Sequence, residues 1–271
     1  MNYPATPAVL VTDADFRLAD IRPDAEKPFK DKDAAEKRLS KLRPRLAGLQ
    51  ENLYAEHRRS LLLVFQALDT GGKDGAIEKL LTGVNPAGVE VTSFKAPSEE
   101  ERNHDFLWRV HAHAPGRGKI GVWNRSHYED VLITRVHGLI DKATWTARYR
   151  HINRFEDLLT ANGTRILKFF LHISKEEQAE RLQARLDDPA KRWKFDPNDL
   201  KERAHWDDYQ AAFQDALAHC SPEAAPWLVV PADKKWVRDL TIMEIVVATL
   251  EEMNPQPPAA DFDVSAMVIK A

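Results

Sequence analysis

The sequence predicts an α/β fold: a three-layer sandwich of helices around a five-stranded parallel sheet, with a helical lid. Three observations predict it. Five short apolar runs alternate with helical patterns, the runs read as apolar on both faces, and the first ends in a glycine turn, a lysine and a helix. Strands buried from both sides need helices on both faces, and the right-handed crossover rule then fixes the layering. Ligands of such sheets bind beyond the carboxyl ends of the strands.

Residues 1–30, rich in Pro, Asp and Ala, read as an N-terminal extension to a main domain at 31–253. Leu39, Leu42, Leu46, Leu49 and Leu53 then recur at spacings of three and four, an amphipathic helix interrupted or kinked near Pro44. The expected strands are 61–68 (LLLVFQAL), 89–94 (VEVTSF), 119–124 (KIGVWN), 165–173 (RILKFFLHI) and 227–231 (WLVVP). Polar chemistry gathers after the first three, at residues 69–74, 95–98 and 124–130. Phe94, Lys95 and Pro97 border either a base or the edge of the core. A basic helical hairpin at about 181–209 reads as a lid that folds over phosphates and excludes water. Residues 254–271 are a Pro-rich tail, mobile or pinned to a neighbour.

The 271 residues can bury a full core, and a net charge of −3 gives no global basic field, so nucleic-acid binding is not expected. Cys220 is the sole cysteine, which excludes an intramolecular disulfide and a cysteine metal cluster. No apolar run approaches the roughly 20 residues of a membrane span, and the N-terminus lacks the pattern of a signal peptide. A cytoplasmic protein without a membrane partner is expected. The ten histidines form no metal-ligand pattern. The leucine stripe and the tail are compatible with homo-oligomer assembly, and packing on the sheet explains the stripe equally well.

The segment VFQALDTGGKDGAIEKLL at 64–81 has the layout of a phosphate-binding loop. N–H groups of Thr70, Gly71 and Gly72 point at a helix N-terminus, where the macrodipole favours an anion, and Lys73 reaches an outer phosphate. Gly72 and Lys73 fit the pattern G-x-x-x-x-G-K-[ST]. Ala67 replaces its first glycine, and Asp74 replaces the hydroxyl residue that holds magnesium. Asp69 and Asp74 therefore offer carboxylate oxygen to a divalent cation instead. At the third strand end Asn124 stands where an aspartate is expected in such enzymes, so Asp69, or Glu129 and Asp130, must balance metal charge, while Arg125 is placed to clamp a phosphate bidentately. In the lid, Arg181 and Arg185 share a helix face, and Lys191, Arg192 and Lys194 surround Trp193.

LDTGGKDG at 68–75, FKAPSEEE at 94–101, WNRSHYEDVL at 123–132 and the W-K-F at 193–195 together resemble the second family of polyphosphate kinases over about residues 30–250. Asn124 with Glu129 and Asp130 is most like its third class. The resemblance implies a fold similar to thymidylate kinase, dependence on magnesium (or manganese in its place), and reversible phosphoryl transfer between inorganic polyphosphate and adenine nucleotides, with guanine nucleotides left open. The third class takes both AMP and ADP. Residue by residue, it carries Asp69, Lys73 and Asp74 over to the loop, Asn124 and Arg125 to the second motif, Glu129 and Asp130 to acceptor and metal handling, and Arg181, Arg185 and Lys194 to the lid; Asp69, Lys73 and Arg125 are then expected to do the chemistry, with Asp69 on the metal. Thr70, Gly71, Gly72, Asp74, Gly75, Asn124, Glu129, Asp130, Arg181, Arg185 and Lys194 hold substrate. An ATP-dependent kinase of the same fold and a nucleotide-binding switch are the rival readings.

Overall fold

In the computed structural model, which describes residues 3–12, 15–262 and 267, helices and strands alternate as expected. In chain order the elements are β1 (Val9–Leu10), α1 (Lys32–Glu56), β2 (Ser60–Gln66), α2 (Lys73–Leu81), β3 (Val89–Ser93), α3 (Glu99–Arg102), α4 (Trp108–His111), β4 (Ile120–Asn124), α5 (Ile133–Val136), α6 (Lys142–Ala161), β5 (Thr164–His172), α7 (Lys175–Asp187), α8 (Asn198–Ala204), α9 (Trp206–His219), β6 (Trp227–Pro231) and α10 (Lys235–Met253). The sheet order is β1-β6-β5-β2-β4-β3. The five expected strands pair in parallel, and β1 adds a sixth, antiparallel to β6 through Val9 opposite Val229 and Leu10 opposite Leu228. The sheet is thus six-stranded and mixed. Two residues are too few to leave a periodic signal, and β1 sits in the Pro-rich segment read as an extension.

Every residue of β2 is buried, as a strand covered on both faces must be, and Phe65 stacks on Phe169 of β5 at 5.3 Å. The edge strand β3 departs from the expectation of two apolar faces: Glu90 and Val91 are exposed. The α1 helix continues through Pro44 instead of breaking there. Leu39, Leu42, Leu46 and Leu53 are buried in the core, and Arg38 and Arg45 pair with Glu244 and Glu251 of α10, so packing outweighs the one lost hydrogen bond. The stripe is covered by its own chain. Phe94 is buried, edge-on to Trp123 and His113, and so belongs to the core. Most of the tail beyond Phe262 lies outside the described residues.

The connection after β2 runs out over β4 to β3, while β5 leads the other way to β6. This reversal beside β2 is where ligands of open α/β sheets bind, and it places residues 67–72 at the crevice. At this spot α2 starts without a side-chain cap, as α8, α9 and α10 also do. Asp31, Asp141 and Ser174 accept hydrogen bonds from the first-turn amides of α1, α6 and α7. The N-cap of α2 is Gly72, which has no side chain to offer, so its first N–H groups remain available to an anion.

Candidate active site

The loop closes by a hydrogen bond from the Gly71 amide to the Leu68 carbonyl at 3.0 Å, with Thr70 and Gly72 both in the left-handed region (φ 61° and 91°). A Cβ on Gly71 would lie 2.5 Å from the Ala67 Cβ, and one on Gly72 would lie 2.2 Å from the Arg238 guanidinium. Gly71 is therefore required by contact, and Gly72 is favoured by its left-handed backbone, with Arg238 having to move for any side chain there. Gly75 is not so constrained: a Cβ there meets nothing closer than 3.7 Å. Gly72→Ala is expected to cost about 1–2 kcal/mol from backbone conformation alone and to displace Arg238, lowering the melting temperature and turnover together in one purified variant.

Lys73, at the head of α2, donates to the Ala67 carbonyl at 3.0 Å. Desolvation lowers its pKa first and the Arg125 charge adds to this, while Asp69, Glu129 and Asp74 oppose both. Asp74 projects outward and accepts from Asn124 Nδ2 at 2.5 Å, so the asparagine at the end of β4 orients the loop carboxylate. Arg125 follows it with φ 64°, its amide on the Phe65 carbonyl at 3.0 Å, and its guanidinium 3.3 Å from Asp69 Oδ1. The loop and the second motif are thus brought together across β2 and β4.

The paired acids of WNRSHYEDVL separate. Glu129 lines a cavity of about 260 Å³ with Asp69, Arg125, Gln178, Asp199 and Tyr209, and burial raises its pKa against the pull of Arg125 and Lys73. Asp130 instead pairs its carboxylate with Arg148 at 3.5 Å, while Arg148 donates to its backbone carbonyl at 2.7 Å, and burial pushes its carboxyl up to about 6. Its folded pKa lies above the unfolded value, so the folded state binds the proton more tightly and stability falls as pH rises from about 4 through 6. Asp130→Asn should therefore be more stable than wild type at pH 7.5, by at most roughly 3 kcal/mol, and equal to it near pH 4. Thermal melts at the two pH values check this.

The lid residues divide. Arg181 is nearly buried and donates to the carbonyls of Thr70 at 3.1 Å, Ala232 at 2.6 Å and Asp233 at 3.1 Å, so it braces the loop from behind. Arg185 is turned to the Lys194 carbonyl and to Asp199 at 3.2 Å. Lys194 is exposed beside the Trp193 ring. Sequence reading passed over several residues that meet here. Arg238 donates to the Gly72 carbonyl at 3.1 Å, and Gln178 to the Asp69 carbonyl at 3.0 Å. Asp196, Asp199 and Glu202 of the lid side face the cavity that holds Asp69 and Glu129. A larger hollow of about 510 Å³ lies along α6 and shares no lining residue with the loop, whereas the smaller one is lined by Ala67, Leu68 and Asp69.

This geometry, a phosphate loop facing an arginine and two carboxylates, has its counterpart in known proteins. The family model described as Polyphosphate kinase 2 matches residues 29–258. The chain belongs to the polyphosphate kinase 2 family. It is 49% identical over 259 residues to the AMP/ADP-polyphosphate phosphotransferase of Meiothermus ruber, covering 95% of this chain and 97% of that one. It is also 49% identical over 226 residues to the ADP-polyphosphate phosphotransferase of Rhodopseudomonas palustris, covering 79% and 78%. The crystal structure of polyphosphate kinase 2 from Arthrobacter aurescens TC1 superimposes with a TM-score of 0.94 at 45% identity over 98% of this chain and 96% of that one. Family and fold together make this chain a phosphotransferase. No helix among the described residues is long and apolar enough to cross a membrane.

Proposed function

We propose that this enzyme moves the terminal phosphoryl group of inorganic polyphosphate to AMP and to ADP, reversibly, as the third class of the family does. The observation that carries this reading is the charge beside the loop. Arg181 and Arg238 hold its carbonyls, and the Lys235 amine has its pKa lowered by burial first and then by those two arginines and Lys191, although Glu177 opposes this and the arginines also pair with Glu177 and Asp239. An extended polyanion relieves such repulsion, and a neutral adenine does not. The names of the relatives from Meiothermus ruber and Rhodopseudomonas palustris support the same choice over an ATP-dependent kinase.

The attacking group is a nucleotide phosphate oxygen, already ionised near neutrality, so no general base is needed. In this reading the free amides at the start of α2 cradle the donor, while Lys73 leaves the Ala67 carbonyl for an outer phosphate. Arg125 swings from Asp69 to the transferred group and stabilises its equatorial oxygens. Asn124 keeps Asp74 at the mouth of the loop. The hairpin at about 181–209, acting as the lid, excludes water.

A divalent cation fits the donor set. Asp69 and Glu129 offer hard oxygens at the cavity, and magnesium takes one or two carboxylates with phosphate and water filling its remaining positions. Asp69 is the residue that would hold it, with Glu129 nearby, and manganese has the same ligand preference. When bound it neutralises charge on the donor and acceptor oxygens. The test is incubation of purified protein with magnesium, long-chain polyphosphate and AMP, ADP or no nucleotide, the products resolved by chromatography. ADP and ATP from AMP are expected; ATP from ADP alone would move the class, and no transfer to either would sink the reading.

A further inference from the structure

Behind the second motif lies a polar group that the chemistry described so far does not use. Lys168, in the middle of β5, is fully buried. Its ammonium donates to Glu156 Oε2 at 2.5 Å, to the Tyr128 hydroxyl at 2.8 Å and to the Cys220 carbonyl at 2.7 Å, which employs all three protons. Glu156, on α6, also accepts from the Tyr128 hydroxyl at 2.8 Å and from His127 Nε2 at 3.3 Å. Burial pushes the Glu156 carboxyl up, but Lys168 and His127 outweigh it and hold it below the usual range. Burial lowers the His127 pKa.

A buried ion pair is a poor source of stability, because apolar side chains of the same volume often serve as well or better. Its geometry suggests another use. His127 and Tyr128 open the 3-10 turn His127–Val131, which has Arg125 just before it and carries Glu129. The same turn is pinned from β2: Gln66 donates to the Ser126 hydroxyl at 3.1 Å, and that oxygen accepts from the Tyr128 amide at 3.2 Å. Arg125 holds a left-handed backbone, a conformation that persists in a non-glycine residue only where its surroundings over-determine it. The network supplies that determination from two elements, α6 and β5, that lie outside the crevice.

We propose that Lys168, Glu156 and Tyr128, with His127, are positioning residues for phosphoryl transfer, fixing the turn so that Arg125 meets the reacting phosphate and Glu129 keeps its place beside Asp69. This rests on the reading of Arg125 given above. Three variants are compared with wild type for melting temperature and for steady-state transfer from polyphosphate to AMP: Tyr128→Phe, Lys168→Met, and the apolar triple Lys168→Met/Glu156→Leu/Tyr128→Phe. Tyr128→Phe keeps the ring against Trp227 and is expected to lower kcat at least about tenfold with nucleotide KM within about threefold, since a small displacement of a transition-state contact acts on kcat. The triple is expected to regain melting temperature relative to Lys168→Met while kcat stays low. Recovery of kcat along with melting temperature would show a structural role only and overturn the proposal. If the triple does not fold, Tyr128→Phe decides alone, and wild-type kcat in it is the overturning result.

Arg125→Ala separates the two layers of the argument. Full turnover in Arg125→Ala overturns the reading of Arg125 itself, whereas loss there with full turnover in Tyr128→Phe overturns only the positioning role. In the Arg125→Ala background the effect of Tyr128→Phe on kcat should shrink, because the Arg125 contact that it displaces is already gone. A general loss of stability would instead add.

Discussion

Lys73→Ala is expected to lower turnover about a hundred- to thousandfold, the loss seen when one preorganised donor to a developing oxyanion is removed, with the melting temperature unchanged or slightly raised. The second half of that expectation follows from the resting geometry. Lys73 makes a single hydrogen bond, to the Ala67 carbonyl, and its ammonium is disfavoured by desolvation and by Arg125. Removing it therefore removes a charge that burial beside Arg125 disfavours. Bound phosphate reverses the balance, since a dianion favours the ammonium that burial opposes. Steady-state rates with polyphosphate and AMP, alongside a thermal melt, read both quantities from one preparation. Near-normal turnover would falsify the assignment of Lys73, and a collapse in melting temperature would mean that the lysine holds the loop instead of the substrate.

The parts of the site legible in the sequence are those that lie where an apolar run stops. LDTGGKDG and WNRSHYED each follow a strand, and the sheet places the two ends side by side, so Lys73, Asp69, Asn124 and Arg125 could be named from their position alone. Long-range contacts left no such trace. Arg238 reaches the Gly72 carbonyl across 166 residues, and Gln178 reaches the Asp69 carbonyl across 109. Neither lies in a motif. The left-handed backbone of Arg125 was illegible for a different reason: no glycine marks it, and tertiary contacts impose it. Lys194 shows the converse limit. Its charge drew it into the reading of the lid, but charge does not give direction, and the side chain lies over Trp193 in solvent. The run RILKFFLHI predicts a strand in spite of its lysine. The strand is real, and the lysine inside it was the signal of a buried partner.

That lysine carries the largest expected effect on stability. Lys168→Met keeps the volume of the side chain and removes its charge, leaving the Glu156 carboxylate in the core with only Tyr128 and His127 as donors. Breaking a buried pair from one side costs about 3–5 kcal/mol, most of it the unpaired charge that remains. The pH dependence distinguishes this cause from simple repacking. In the wild type the folded pKa of Glu156 is depressed, so its contribution is present above the unfolded value of about 4.3 and is lost as pH falls through the folded one. In the variant the same carboxyl has lost its main cation, its pKa rises, and protonation at acid pH relieves the penalty. The gap between the two proteins is therefore expected to be widest near pH 7.5 and to narrow towards pH 4.5, as measured by denaturant titration at both. A gap of equal size at both would mean that Lys168 and Glu156 are not an ion pair in the folded protein, and that the turn bearing Arg125 and Glu129 is held by packing alone.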